Sequence, residues 1–197
     1  MHTLLWKQRS RAGWTMGLVY ITGISGAGKS EVCKGLKRRG YSAFDANEDG
    51  ISAWHDATGR WVDTPARDIW RTKEWQTTHS WRYSREHLER LAPEATDTLV
   101  TDNTVFVCGT AANENEVWDL FSHVICLFLD DEAELRCRLS ERSDDGFGKE
   151  PHELAAVLSW NKTSKSNYLR YGAIMVDASQ TLEQVVNDVI NAAEGNT

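Results

Sequence analysis

Gly23-Ile24-Ser25-Gly26-Ala27-Gly28-Lys29-Ser30 fits the pattern GxxxxGK[ST]. In that spacing the glycines let backbone N–H groups curl around a chain of phosphates. Lys29 reaches the outer phosphates, and Ser30 offers a hydroxyl to Mg²⁺ at the positive end of a helix. The apolar run Leu18-Val19-Tyr20-Ile21 precedes the loop and a helical pattern follows it, the context that separates such a loop from a Gly-rich turn carrying a lysine by coincidence. The expected nucleoside triphosphate site therefore comprises Gly23, Ser25, Gly26, Ala27, Gly28, Lys29 and Ser30.

Other residues are placed to use a phosphate held there. Tyr41-Ser42-Ala43-Phe44 reads as a second strand ending on Asp45. Strands of a parallel sheet point their C-terminal ends at the ligand crevice, so Asp45 is expected near the phosphates, as a ligand to Mg²⁺-bound water or as a base toward an acceptor hydroxyl. The competing reading is an Asx turn that closes the strand. Between Ile51 and Leu91 the tryptophans Trp54, Trp61, Trp70, Trp75 and Trp81 crowd into a segment of weak periodicity. They either line a pocket that stacks a ring, with Arg60, Arg67, Arg71, His55 and His79 at its rim, or pack the segment onto the sheet. Arg138 and Arg142 share one face of a helix expected over Glu132 to Arg142. The polar, Gly-containing loop Ser143 to Lys149 follows and suits a lid. Arginines feeding a mobile loop supply positive charge to phosphoryl transfer, whereas the plainer expectation is a solvated face paired with Glu134 and Glu141.

These residues need a frame. Lys29 to Arg39 reads as a helix closed by Gly40, and Ser84 to Leu91 as a short helix ended by Pro93. Thr104 to Cys108 is a third strand running into Gly109-Thr110-Ala111-Ala112-Asn113. Many NTPases end this strand on an acidic magnesium ligand; Cys108 or Gly109 stands here instead, which argues against a motor ATPase. Asn113 to Phe121 is expected to be helical, and His123 to Leu129 is a continuous apolar strand of the kind buried on both faces. Asp130-Asp131 caps the helix that carries Arg138, and Pro151 starts a helix through Tyr168. Asn161-Lys162-Thr163-Ser164 lacks the aspartate of a guanine-selecting NKxD box and sits within that helix. Ala173 to Val176 is a fifth strand ending at Asp177-Ala178-Ser179, and Leu182 to Ala193 is the last amphipathic helix. Strands alternating with helices predict an α/β fold of three layers, a five-stranded doubly wound parallel sheet with helices on both faces. An insertion covers about 47–92 and a lid about 142–152.

Length and composition narrow the partners. The 197 residues suit one domain over 16–197 with a substantial core. Residues 1–15 are polar and basic, lack the apolar core of a secretory signal, and are expected to be an extension that Met16 could start without, unless Trp6 and Trp14 hold them down. A net charge of −7 disfavours nucleic acid and anionic membrane as partners and favours a small ligand. Cys33, Cys108, Cys126 and Cys137 form no CxxC pair and read as reduced thiols of a cytoplasmic protein. No apolar run approaches the roughly 20 residues that span a bilayer.

From Gly17 to the last helix the chain resembles the small P-loop kinases of the nucleoside-monophosphate-kinase and shikimate-kinase type. The resemblance rests on GISGAGKS, on Asp45 after the second strand, on Arg138-Leu139-Ser140-Glu141-Arg142 leading into a lid, and on Val176-Asp177-Ala178-Ser179 after the fifth strand. It implies that Asp45 lies near magnesium and the acceptor, that Arg138 covers the adenine and Arg142 reaches phosphates, and that Asp177, Ala178 and Ser179 border the adenine. It places the acceptor in the insertion, where Trp54, Arg60 and Trp81 are the candidate contacts together with Asp45, Gly109 and Arg142. The insertion carries no standard nucleotide or shikimate signature.

The expected activity is ATP- and Mg²⁺-dependent phosphoryl transfer to a small molecule, with Lys29, Asp45, Arg138 and Arg142 as the catalytic candidates and Ser30 and Asp45 as the metal candidates. A nucleoside or nucleotide acceptor is preferred to a sugar-like or carboxylate one, because indoles stack rings. A regulator or hydrolase that uses ATP as a signal is the rival from another class; a polynucleotide-end kinase is disfavoured by the acidic charge.

Overall fold

The computed structural model describes residues 17–92, 104–142 and 146–195. The expectations for residues 1–15, Met16 and Pro93 lie outside them, as do Ser143, Asp144 and Asp145 of the lid.

In chain order the elements are β1 (Leu18–Thr22), α1 (Lys29–Arg38), β2 (Ser42–Asp45), β3 (Ser52–His55), β4 (Trp61–Val62), α2 (Arg67–Trp70), α3 (Lys73–Thr78), β5 (Ser80–Tyr83) and α4 (Arg85–Leu91). There follow β6 (Val105–Cys108), α5 (Glu114–Val117), β7 (Phe121–Phe128), α6 (Glu132–Glu141), α7 (Pro151–Arg170), β8 (Ile174–Asp177) and α8 (Leu182–Ala193). Five strands pair in parallel in the order β2-β6-β1-β7-β8, so the fold is the expected α/β one.

The sheet is central because its strands are apolar on both faces. Along β1 the side chains alternate, Val19 and Ile21 joining one core and Leu18 and Tyr20 the other. Phe106 and Cys108 of β6 point with the first set and Val107 with the second; Ile125 and Leu127 of β7 oppose Val124 and Cys126. The first core is covered by α1, α6, α7 and α8. Gly35 of α1 is needed there, since a Cβ at that position would lie 2.6 Å from Val186 of α8. The second core is covered by the insertion, through Ile51, Tyr83 and Leu88, and by Val117 of α5.

Two segments differ from expectation. The insertion is not irregular: β4-β3-β5 form a three-stranded antiparallel sheet, with Trp54 facing Trp81 across the β3–β5 pair. Its strands have four residues or two, too few to display a period of two in sequence. The helix expected over Asn113 to Phe121 stops at Val117, and a 3₁₀ turn, Trp118–Leu120, follows it. Phe121 instead opens β7, where its ring stacks on Tyr20 at 4.9 Å. Packing decides this against helix propensity.

Candidate functional site

The loop between β1 and α1 takes its shape from glycines at positive φ. Gly28 precedes α1 at φ 95°, a left-handed position, so the first amides of the helix face the cleft; Gly26, at φ 87°, would press a Cβ to 2.9 Å from Leu135. Lys29 Nζ donates to Gly23 O at 2.7 Å and Ile24 O at 2.9 Å, closing the loop on itself. Burial pushes the Lys29 ammonium down from the usual 10.5 to about 8; the Glu114 carboxylate acts in the opposite direction and Arg142 in the same one. Thr110 Oγ1 donates to Gly23 O at 2.8 Å and ties the end of β6 to the loop.

Glu114 is the functional candidate that the sequence reading missed. It opens α5 one short loop beyond β6 and stands beside the end of β1. Its Oε1 accepts from Tyr20 Oη at 2.6 Å and Thr22 Oγ1 at 3.2 Å, and its Oε2 accepts from Tyr168 Oη at 2.7 Å. Burial first, and the Glu114 charge second, hold the Tyr20 and Tyr168 phenols well above their usual range, so both remain O–H donors. A carboxylate is thus fixed on the cleft wall within electrostatic reach of Lys29. The strand β6 ends on Cys108 with no acidic residue, and the carboxylate beside the end of β1 belongs to the following helix. The available signal was Tyr20, a phenol in a buried aliphatic strand that needs a polar partner at its tip.

Arg138 and Arg142 both face the loop. Arg142 Nη1 donates to Ser25 Oγ at 3.0 Å and to Phe147 O at 3.2 Å, while Ser25 Oγ itself donates to Phe147 O at 2.5 Å. Arg138 Nη2 donates to Glu134 Oε1 at 2.6 Å and to Ala178 O at 2.7 Å, and its guanidinium lies over Gly28. Arg138 is paired with Glu134, as on a solvated face, and also bridges to the turn after β8. Arg136, pointing elsewhere, pairs with Glu132.

The remaining predicted residues divide. Trp54 and Trp81 line the cleft that the phosphate loop also lines, and so does Ala178. Asp177 and Ser179 do not line the cleft; the Ser179 amide donates to Asp177 Oδ1 at 2.9 Å and closes the turn that carries Ala178. Asp45 is buried, and its Oδ1 accepts from the Asn47 and Glu48 amides at 3.0 and 3.4 Å, which is the Asx turn; Asn47 and Glu48 reach the cleft wall where Asp45 does not. Gly109 is a packing glycine, since a Cβ there would lie 2.6 Å from Tyr83 Oη. Arg60 is exposed and paired with Asp56 at 3.1 Å on the turn of the insertion, outside the cleft. The cysteines are free thiols, and Cys33, Cys108 and Cys126 are buried. Among the described residues no helix is long and apolar enough to cross a membrane.

Four of the five tryptophans pack on one another within the insertion, and none of them joins the cores against the sheet. Trp54 is the hub, with ring centroids 5.4 Å from Trp81, 6.1 Å from Trp75 and 6.4 Å from Trp70. Trp54, Trp70 and Trp81 line the cleft; Trp75 backs them, stacked on His79 at 3.6 Å; Trp61 is exposed. Of the rim candidates only His79 lines the cleft, whereas His55, Arg60, Arg67 and Arg71 do not.

The AAA domain, as a family, matches residues 19–153. Among curated proteins none matches the chain. Solved structures share its fold, among them the following three. A shikimate kinase from Acinetobacter baumannii in complex with shikimate has a TM-score of 0.58 at 15% identity, covering 93% of this chain and 96% of that one. A deoxyadenosine kinase from M. mycoides with bound dATP has a TM-score of 0.51 at 15% identity, covering 91% and 100%. An unliganded sugar kinase from Janibacter sp. HTCC2649 has a TM-score of 0.51 at 19% identity, covering 90% and 94%. At these identities the likeness is one of fold, that of small P-loop kinases.

Proposed function

The chain belongs to the AAA domain family, and from that premise we propose that it is an ATP- and Mg²⁺-dependent phosphotransferase acting on a small-molecule acceptor. One observation carries the reading: the phosphate loop and the tryptophan wall of the insertion line the same cleft, so a triphosphate and a ring can meet in it. The acceptor's hydroxyl oxygen bonds to the γ-phosphorus, the bond from that phosphorus to the β,γ-bridging oxygen breaks, ADP leaves, and the hydroxyl proton passes to solvent. Such a transfer depends on positioning and charge neutralisation more than on covalent help.

The parts have named candidates. Loop amides and Lys29 hold the β- and γ-phosphates; an ammonium has three donors, and two serve Gly23 O and Ile24 O. Arg138 borders the adenine with Ala178, and Arg142 neutralises the migrating phosphoryl group. Among the described residues no cluster of three His, Cys, Asp or Glu side chains is set to cage a metal. The donor set instead fits Mg²⁺ that would be held chiefly by phosphate and water, with Ser30 Oγ as the protein ligand and Glu114, on the cleft wall that Asp45 does not reach, facing its waters. The ion's contribution is to neutralise the phosphates.

The test is acceptor-dependent ADP release. Arg142→Ala should lower kcat about 100-fold or more while changing the KM for ATP by only a few-fold, as for a group that acts on the transition state. Unchanged turnover in that variant sinks the lid assignment, and steady hydrolysis that no metabolite stimulates favours an ATP-reading regulator.

A further inference from the structure

The insertion is rich in cations, yet it presents none of them to the cleft. Arg60 is paired with Asp56 on the outer turn, and Arg71 with Glu153 in the interior. Arg82 pairs with Glu116, and Arg85 with Glu89 and Asp119. Arg90 Nε donates to Glu86 O, and Arg67 and Lys73 do not line the cleft. The insertion side of the cleft is formed by Asn47, Glu48, Trp54, Trp70, Gln76 and Trp81, with Thr64, His79 and Ser80 between them. Among these described residues the one carboxylate or cation is Glu48, which is negative, and His79 lies flat on Trp75 with Nδ1 engaged by Thr78 Oγ1 and Trp75 O. Lys34, where the wall meets α1, is paired with Glu31 at 2.8 Å, and Glu31 lines the cleft as well.

On the insertion's side of the cleft a phosphate or carboxylate would lose water and meet an acidic side chain, the guanidinium groups of Arg138 and Arg142 lining the opposite, phosphate-loop side. A ring meets three indoles. Two amides offer neutral complements: Asn47 Oδ1 accepts from Trp81 Nε1 at 2.9 Å and Ser52 Oγ at 3.2 Å, which leaves its Nδ2 donors. Gln76 Nε2 donates to Trp70 O and to Glu153 Oε1, each at 3.3 Å, which leaves its carbonyl as an acceptor. We infer that the acceptor is an uncharged, ring-bearing alcohol with both donor and acceptor groups on its ring, of nucleoside type, and not a nucleotide, a sugar acid or another carboxylate. The inference rests on the transfer reading above and narrows it.

Matched probes test it on the full chain at pH 8: adenosine against AMP, cytidine against CMP, and a neutral methyl glucoside against gluconate. Tryptophan fluorescence reports binding, and ADP release reports transfer. The expected result is that the neutral nucleosides bind at least about tenfold tighter than their monophosphates and alone stimulate ADP release. The methyl glucoside separates a sugar site from a base site, and preferential binding of it would overturn the nucleoside type. Equal or tighter binding of the anions, or no quenching by any nucleoside, overturns the inference. If nucleosides bind as expected but release no ADP, the chamber's preference stands and the transfer reading falls. In Glu48→Lys the monophosphates should gain about tenfold in affinity, and no gain would count against a chamber governed by charge.

Discussion

Lys29 and Glu114 form an opposed pair at the residue scale. Burial lowers the lysine to about 8, and the carboxylate keeps it from falling further. In the ligand-free protein the Lys29 ammonium, proposed to recruit phosphate, is therefore lost above pH of about 8. A bound triphosphate restores it by placing negative charge beside it. Accordingly kcat/KM for ATP should fall above a pH of about 8, while kcat holds its plateau to higher pH; identical limbs in the two profiles would remove Lys29 from the assignment. Glu114→Gln removes the charge that raises the lysine, so the kcat/KM limb should move toward neutral pH and cost roughly tenfold at pH 8. The same pKa fixes a stability sign. The folded value lies below the unfolded one, so between about 8 and 10.5 the unfolded chain binds more protons, and the ligand-free protein should gain stability as pH rises through that window. Urea melts at several pH values, compared with Lys29→Met, check it; the variant should lose the pH-dependent rise.

At the element scale a buried ion pair joins the insertion to the start of α7. Arg71, next to α2, donates to Glu153 Oε2 at 2.7 Å, and the pair is 6% and 0% exposed. Glu153, in the first turn of α7, also accepts from the Gly148, Lys149 and Glu150 amides, so one carboxylate fixes the entry of the chain into the helix. Arg71→Met leaves that carboxylate buried with its charge uncompensated, a loss of about 3–5 kcal/mol. For a chain of this size that corresponds to a Tm drop of roughly 6–20 °C, and calorimetry showing under about 1 kcal/mol would make the pair incidental. This coupling was not legible in sequence, because Arg71 and Glu153 lie on elements far apart in the chain. What was legible followed local rules. The phosphate loop is a contiguous motif, β7 is a continuous apolar run, and Asp131 caps α6 by accepting from the Ala133 and Glu134 amides. Glu114 escaped because its role depends on three hydroxyls, from β1 and α7, that only the fold brings together.

At the scale of the whole molecule the two cores lie on opposite faces of one sheet, and the cleft runs along the strand ends between them. Ala27, Leu135 and Leu139 belong to the core on one face, while Tyr20, Val117 and Tyr168 belong to the other. On the proposed reading a triphosphate seated on the loop would engage Lys29 and Arg138, anchored on the first side, while its Mg²⁺ waters would face Glu114, anchored on the second. Its binding energy is therefore distributed over the cooperative unit and not confined to the lid. At 100 times its Kd, MgATP should stabilise the native state by about 2.7 kcal/mol. Tm should then rise by roughly 5–11 °C as a single transition. Lys29→Ala should fold with nearly the wild-type baseline and lose most of that shift, because the variant keeps both cores and forfeits the phosphate contact. A wild-type Tm unmoved by saturating MgATP would remove the triphosphate site itself. A shift confined to a minor early transition would mean that the ligand holds only the lid, with the two cores melting independently of the cleft between them.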